Sequence, residues 1–287
     1  EFALAAEEFG LDSFWVWDHL QRQPAAGEAD SQGMLECFLS LAGVAAITKR
    51  VLLGQLVAAV PYRNPALTAK MGTTLAHMSH GRAVLGLGAG WDRREMTAYG
   101  YQFEDAPTRL KRLEEAVQVV LKLWSERPAS FQGHFYSLDT AYNDPWPEAR
   151  PPLMVGGSGE KVTLRICAQY ADWCNVNGLP EQVQHRFDVL RAHCERLGRD
   201  PDTIIRSNLL WAIVGRTQAE ADAKRERLGN NARPFPGVVG DPERLVATFK
   251  QYEAAGSQHC IVQLTGENDP EIVRLIGQQV MSALHTG

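Results

Sequence analysis

The chain of 287 residues carries 29 basic and 34 acidic side chains, a formal net charge of −5, with 45% hydrophobic and 22% charged residues. That balance is globular and excludes a disordered chain, a collagen-like repeat and a coiled coil, and a mildly acidic chain without a basic tract excludes nucleic acid as the main partner. The best apolar stretch, 41–47, contains Gly43 and falls far short of the roughly 18 residues a membrane span needs, so a soluble protein with no membrane partner is expected.

In chain order, 2–9 reads as the end of a helix closed by Gly10, a residue favoured just past a helix terminus. Ser13 to Trp17 is a β-branched and aromatic run and predicts a strand. A helix over about 34–47, a strand over 51–57, a helix over 65–78 opened by Pro65 and a strand over 83–87 follow. The clearest helix covers 107–124, where Leu110, Leu113, Val117, Val120 and Trp124 mark one face. Residues 127–152 read as a loop-rich insertion holding a small hairpin, 130–132 and 134–136, around Gly133. Its aromatic residues, Trp146 among them, make it a candidate lid or dimer element. Then come strand 153–155, helix 160–170, strand 172–176, helix 181–197, strand 203–214, helices 218–228 and 242–255, strand 259–264 and helix 270–284.

Strands alternating with helices imply parallel β-α units. Seven strands are counted, and a helix comes first with no strand before it. A (β/α)8 TIM barrel with its first strand absent from this chain, and an insertion after the fourth unit, gives that count. An open doubly wound sheet would place its glycine-rich nucleotide loop after an early strand, whereas the strongest glycine loops here come later. One barrel domain over 1–287 is therefore expected. The N-terminus has no basic stretch and no cleavage site of the kind a signal peptide carries. The five cysteines are odd in number, irregularly spaced and without a CxxC pair, so reduced thiols in a cytoplasmic protein are expected, with no metal site.

In such a barrel the chemistry sits where the strands end. The run Trp17-Asp18-His19 places an acid and an imidazole side by side there, and an imidazole transfers protons near neutral pH. Asp18 capping a helix beside a surface histidine is the plainer alternative. Gly86-Leu87-Gly88-Ala89-Gly90-Trp91 lacks the sixth-position glycine of a dinucleotide fingerprint, yet suits a strand end that admits a ligand, with Trp17 and Trp91 as walls of a substrate pocket. Gly156-Gly157-Ser158-Gly159-Glu160-Lys161 runs into a helix, and free N–H groups of such a turn form an anion site. Ser158 adds a hydroxyl, while Lys161 and Arg165 add positive charge. Neither a P-loop nor a nucleophile elbow fits. Glu114 and Glu115 read as a solvated helix face.

These segments, with 5–13 leading into Trp17-Asp18-His19, with Pro61-Tyr62-Arg63-Asn64-Pro65 and with Gln132-Gly133-His134-Phe135-Tyr136, resemble the luciferase-like monooxygenase superfamily, and within it the branch that uses the deazaflavin coenzyme F420. The resemblance implies an oxidoreductase exchanging a hydride between the deazaflavin C5 and a small-molecule substrate, with His19 beside C5 and Asp18 next to it. It implies a ring seated in the barrel mouth over a non-prolyl cis peptide in the Leu56-Val57-Ala58 region. Gly88 and Ala89 would lie at the ring, the phosphate on Gly156, Gly157, Ser158, Gly159 and Lys161, and Asn177 and Gly178 near the cofactor side chain. A homodimer is implied, and a separate F420 or flavin reductase as partner. FMN in a two-component monooxygenase, and a non-catalytic flavin-binding barrel, are the alternatives. The sugar-6-phosphate dehydrogenases of the superfamily have an acidic residue where Trp91 stands, which speaks against that substrate.

Overall fold

A computed structural model describes residues 1–21, 33–228, 237–266 and 269–285. In chain order the elements are α1 (Phe2–Glu8), β1 (Ser13–Val16), α2 (Cys37–Ile47), β2 (Leu52–Gln55), β3 (Ala58–Ala59), α3 (Pro65–Met78), β4 (Ala83–Gly88), α4 (Arg93–Ala98) and α5 (Ala106–Ser125). There follow β5 (Ala129–Gln132), β6 (Ser137–Ala141), β7 (Leu153–Gly156), α6 (Thr163–Tyr170), β8 (Trp173–Asn177), α7 (Pro180–Leu197), β9 (Ile205–Val214) and α8 (Gln218–Arg227). The last are β10 (Val238–Gly240), α9 (Pro242–Ala254), β11 (His259–Leu264), α10 (Glu271–Leu275), a π-helical turn over Ile276–Met281 and α11 (Ser282–His285).

Strands β1, β2, β4, β7, β8, β9 and β11 pair in that order and in parallel, with β3 and β10 as short extensions on β4 and β9. Each crossover is filled by helix, as parallel pairing requires. Among the described residues β1 and β11 are the outer strands, and a hydrogen bond of 2.8 Å between Ser13 Oγ and His259 Nε2 ties their first residues together. No described helix is long and apolar enough to cross a membrane.

The period of two along each strand sorts side chains into two cores. One alternate set, with Leu53, Leu85, Leu87, Val155, Cys174 and Val176, packs against the helices. The other, with Val84, Met154, Trp173 and Ile261 joined by Trp15, fills the space enclosed by the strands. Along β4 and β7 this inner set changes from large to absent: Val84 gives way to Gly86 and Gly88, and Met154 to Gly156. Bulky side chains thus make a floor, and glycines leave room above it at the C-terminal strand ends. Gly54 serves the floor differently, since a Cβ there would stand 2.3 Å from the Trp15 ring.

The outer helices follow their sequence signals. Asn64 and Asp105 cap α3 and α5 by accepting from Ala66 N (2.9 Å) and Thr108 N (2.9 Å). Trp124 at the end of α5 is buried and donates to Thr73 Oγ1 (3.1 Å) on α3. Several expectations need correction. α6 starts at Thr163, not Glu160, because the turn after Gly159 holds the chain out of helical geometry. The second hairpin strand is 137–141 instead of 134–136, as Glu115 accepts the N–H groups of His134 (2.9 Å), Phe135 (2.8 Å) and Tyr136 (3.3 Å) and makes those residues the turn. Glu115 is therefore engaged, and so is Glu114, which pairs with Arg165 at 2.7 Å. The insertion lies along α3 and α5, where Asn143 Nδ2 donates to Thr73 Oγ1 (2.8 Å). None of its residues lines the cavity at the strand ends.

Candidate active site at the C-terminal strand ends

A cavity of about 720 Å³ opens above the glycine positions, within the range of small-molecule and cofactor sites. Its walls come from the ends of β1, β2, β4, β7, β8 and β9: Trp17 and His19, Leu56 and Val57, Gly88 to Trp91, Gly156 and Gly157, Asn175 and Asn177, and Leu209 with Trp211.

On one wall the neighbours Asp18 and His19 go separate ways. Asp18 is 5% exposed. Its carboxylate accepts both arms of the Arg63 guanidinium (2.7 and 2.9 Å), the Ala59 N–H (2.8 Å) and the Cys37 thiol (3.1 Å). Burial alone would lower the Arg63 guanidinium, but the hydrogen bonds and charge of Asp18 raise it above its ordinary value. Burial, then the charge of Asp18, push the Cys37 thiol well up, so beside Asp18 it stays a thiol. Asp18, Glu36 and Cys37 hold ligand-type atoms within 4.8 Å of one another. Arg63, 2.6 Å from Glu36, already supplies their cation. With every oxygen of Asp18 committed, this residue anchors β3 immediately after the Leu56–Val57 peptide, which is cis.

His19 turns toward the cavity. Its Nδ1 lies 2.8 Å from Glu95 Oε2 on α4, and its ring stands edge-on between Trp17 (5.7 Å) and Trp91 (5.6 Å). Glu95 is fully buried. It also accepts from Tyr62 Oη (2.7 Å), Gln21 N (3.0 Å) and Leu20 N. Burial works to raise its carboxyl, yet the hydrogen bonds from Gln21, His19 and Tyr62 hold it below the usual carboxylate range. Tyr62 is raised by burial and by Glu95, and stays a phenol.

On the opposite wall the glycines meet Val57. A Cβ on Gly88 would stand 2.4 Å from Val57 Cγ2, and one on Gly156 2.7 Å from Val57 Cγ1. These glycines thus make room first for a protein side chain at the cis peptide, and only through it for a ligand. Beyond them Gly157, at φ +140°, donates to Asn175 O (2.9 Å). Ser158 Oγ donates to Asn177 Oδ1 (2.8 Å), and Lys161 is exposed.

Of the residues singled out from sequence, the cavity brings together His19, Asp18, Trp17, Trp91, Leu56, Val57, Gly88, Ala89, Gly156, Gly157 and Asn177. Ser158, Gly159 and Lys161 sit on the adjoining turn, outside the lining. Ala58 is buried toward the helices. Gly178 faces α7 instead, where a Cβ would meet Arg186 Nη1 at 2.5 Å and Gln182 Oε1 at 2.7 Å. Arg165 is bound to Glu114 and contributes no free cation to the turn. The sequence by itself does not mark Glu95, Tyr62 and Arg63 as site residues. Pro61 to Asn64 looks like a plain turn into α3. Asp92 followed by Glu95 has the spacing of a helix start, and Asp92 does cap Arg94 N (3.0 Å) and Glu95 N (3.1 Å). An acid one turn beyond a glycine strand end was the available signal, but its burial was not legible.

Parallel strands enclosing a floored cavity, with a histidine and a glycine turn at their C-terminal ends, define a barrel-type small-molecule site. The family model described as luciferase-like monooxygenase matches residues 1–259, and the chain belongs to that family. An F420-dependent glucose-6-phosphate dehydrogenase of Kineococcus radiotolerans is 29% identical over 99% of this chain and 92% of its own length. An F420-dependent hydroxymycolic acid dehydrogenase of Mycobacterium tuberculosis is 32% identical over 77% of this chain and 60% of its own length. Among solved structures, an F420-dependent secondary alcohol dehydrogenase in complex with an F420-acetone adduct superposes with a TM-score of 0.83 at 20% identity, covering 98% of this chain and 93% of that one.

Proposed function

We propose that this protein is a coenzyme F420-dependent oxidoreductase that exchanges a hydride with a small organic substrate. The observation that carries the reading is His19, held through Nδ1 by the buried Glu95 and presented to the cavity between two indoles. The walls suit the cofactor: Leu56, Val57 and Trp211 offer apolar faces to a flat ring, the Asn175 and Asn177 side chains offer amides to its polar edges, and the adjoining turn with Ser158 and the exposed Lys161 is the candidate seat for a phosphate. The named activities of the relatives support the same cofactor.

Bound there, the deazaflavin supplies the ring carbon that gives or takes the hydride. The chain does the rest. His19 takes up or returns the proton that accompanies the hydride, Trp17 and Trp91 confine the substrate beside the imidazole, and the Asp18–Arg63 pair keeps β3 and the Leu56–Val57 peptide before it in place. A homodimer belongs to the same proposal. Its support is the exposed apolar side chains Leu39 and Ile47 on α2 and Leu35 just before it. Cytoplasmic location rests on the cysteine pattern, and a separate reductase as partner on the resemblance.

Equilibrium binding of F420 and of FMN, followed by quenching of their own fluorescence, tests the reading. Tight F420 and weak FMN binding are expected, and the reverse order would overturn it. With F420 bound, His19→Ala lowers turnover about 100-fold while cofactor affinity stays within a few-fold. Unchanged turnover would remove His19 from the reaction.

A further inference from the structure

Four donors converge on one carboxylate in this site: His19 Nδ1 and Tyr62 Oη on Glu95 Oε2, Leu20 N and Gln21 N on Oε1. An ionised carboxylate only accepts hydrogen bonds, so whichever ring nitrogen faces it must carry the proton. A neutral imidazole has a single N–H, and its other nitrogen is then an acceptor. The two backbone donors pin the carboxylate, because Leu20 and Gln21 follow His19 directly in the chain. Ring and acid are therefore fixed to the same short segment, and α4 clamps that segment to the end of β4.

We propose that Glu95 is a positioning residue that selects the tautomer of His19. It holds the proton on Nδ1 and leaves Nε2, with its lone pair, as the nitrogen on the cavity side. This rests on the proposed role of His19 as proton partner and extends it. Neutral His19 then accepts a substrate proton at Nε2 without first rearranging, and the imidazolium so formed faces an anion at 2.8 Å. The proton acquired at Nε2 is the one returned in the reverse direction, while the Nδ1 proton stays with the pair throughout. Tyr62 saturates the same oxygen, which fixes the carboxylate plane without competing for the ring.

Glu95→Gln makes the consequence measurable. An amide has one acceptor oxygen and one NH2 group, so it cannot accept from the backbone pair and from His19 together. If its oxygen stays with Leu20 and Gln21, its NH2 faces His19 and calls for the opposite tautomer. Long-range ¹H–¹⁵N spectra of ¹⁵N-histidine protein report the tautomer directly, with the His19 signal assigned by its loss in His19→Asn. Wild-type protein above neutral pH is expected to show the Nδ1–H form, and Glu95→Gln a shift of population toward Nε2–H. Turnover with F420 is expected to fall tenfold or more, with the dissociation constant for F420 within about twofold of wild type. An Nε2–H tautomer in the wild type would overturn the proposal without recourse to Glu95→Gln. So would an unchanged tautomer or unchanged turnover in Glu95→Gln. Failure of the wild type to bind F420 would overturn the cofactor assignment instead and leave the tautomer measurement standing.

Discussion

The two walls of the cavity are built on opposite principles. At the end of β1 and on α4, side chains are committed in a dense polar network: Asp18 to Arg63, Ala59 and Cys37, and Glu95 to His19 and Tyr62. At the ends of β4, β7 and β8 the wall is mostly glycine, with Gly88, Gly156 and Gly157 beside the amides of Asn175 and Asn177, and the exposed Lys161 stands on the adjoining turn. A wall that must hold one imidazole in one orientation needs many buried partners, because a group loses its freedom only when every hydrogen bond it makes is accounted for. A wall that receives a ligand's own polar groups needs accessible N–H groups and space, which side chains would take away.

The largest effect that distinguishes the walls is expected at Arg63. Arg63→Ala leaves Asp18 buried without its cation and should cost about 3–5 kcal/mol of stability in denaturant unfolding. A loss under 1 kcal/mol would show that the network is not what holds this wall.

Gly88 probes the other wall. Gly88→Ala is expected to destabilise by about 1–3 kcal/mol and to weaken cofactor binding, since its Cβ would stand 2.4 Å from Val57 Cγ2. Val57→Ala in the same chain should restore most of the stability. Additive losses in the double variant would mean that Gly88 serves something other than Val57.

A smaller effect belongs to the turn. Ser158→Ala with Lys161→Ala should weaken F420 about tenfold and a phosphate-free analogue hardly at all, by the same quenching titration. Equal losses would move the phosphate elsewhere.

The smallest effect is a pH dependence confined to the networked wall. Burial would raise the Glu36 carboxyl, but N–H donors of Leu39 and Phe38 and the Arg63 guanidinium hold it below its ordinary 4.5. A depressed carboxylate contributes stability above the unfolded value and loses it as pH falls through the folded one. Glu36→Gln should therefore be less stable than wild type at pH 7, by no more than about 1 kcal/mol, and the gap should close below about pH 4.5. A gap independent of pH would assign Glu36 a packing role only.

How much was legible follows from the range of each interaction. Strands over 83–88 and 153–156 and the helix over 65–78 rest on local runs, periodicity and caps, which locate them to within a residue or so. β3, β10 and α4 escaped it, because a two- or three-residue strand and a six-residue helix carry too little pattern to stand out. His19, Trp17 and the glycine strand ends were visible because a barrel concentrates its chemistry where strands stop.

By itself the sequence determined the alternation of units, the period-two sorting of large residues and glycines, and the candidate imidazole at the end of β1. Only the tertiary structure decided that Asp18 and His19, adjacent in the chain, face different partners. It brought Arg63 to one from 45 residues away and Glu95 to the other from 76. It also decided that Gly88 and Gly156 make room for Val57. Such pairings depend on which strand ends meet across the sheet, and that is set by long-range packing, which leaves no local periodicity to read.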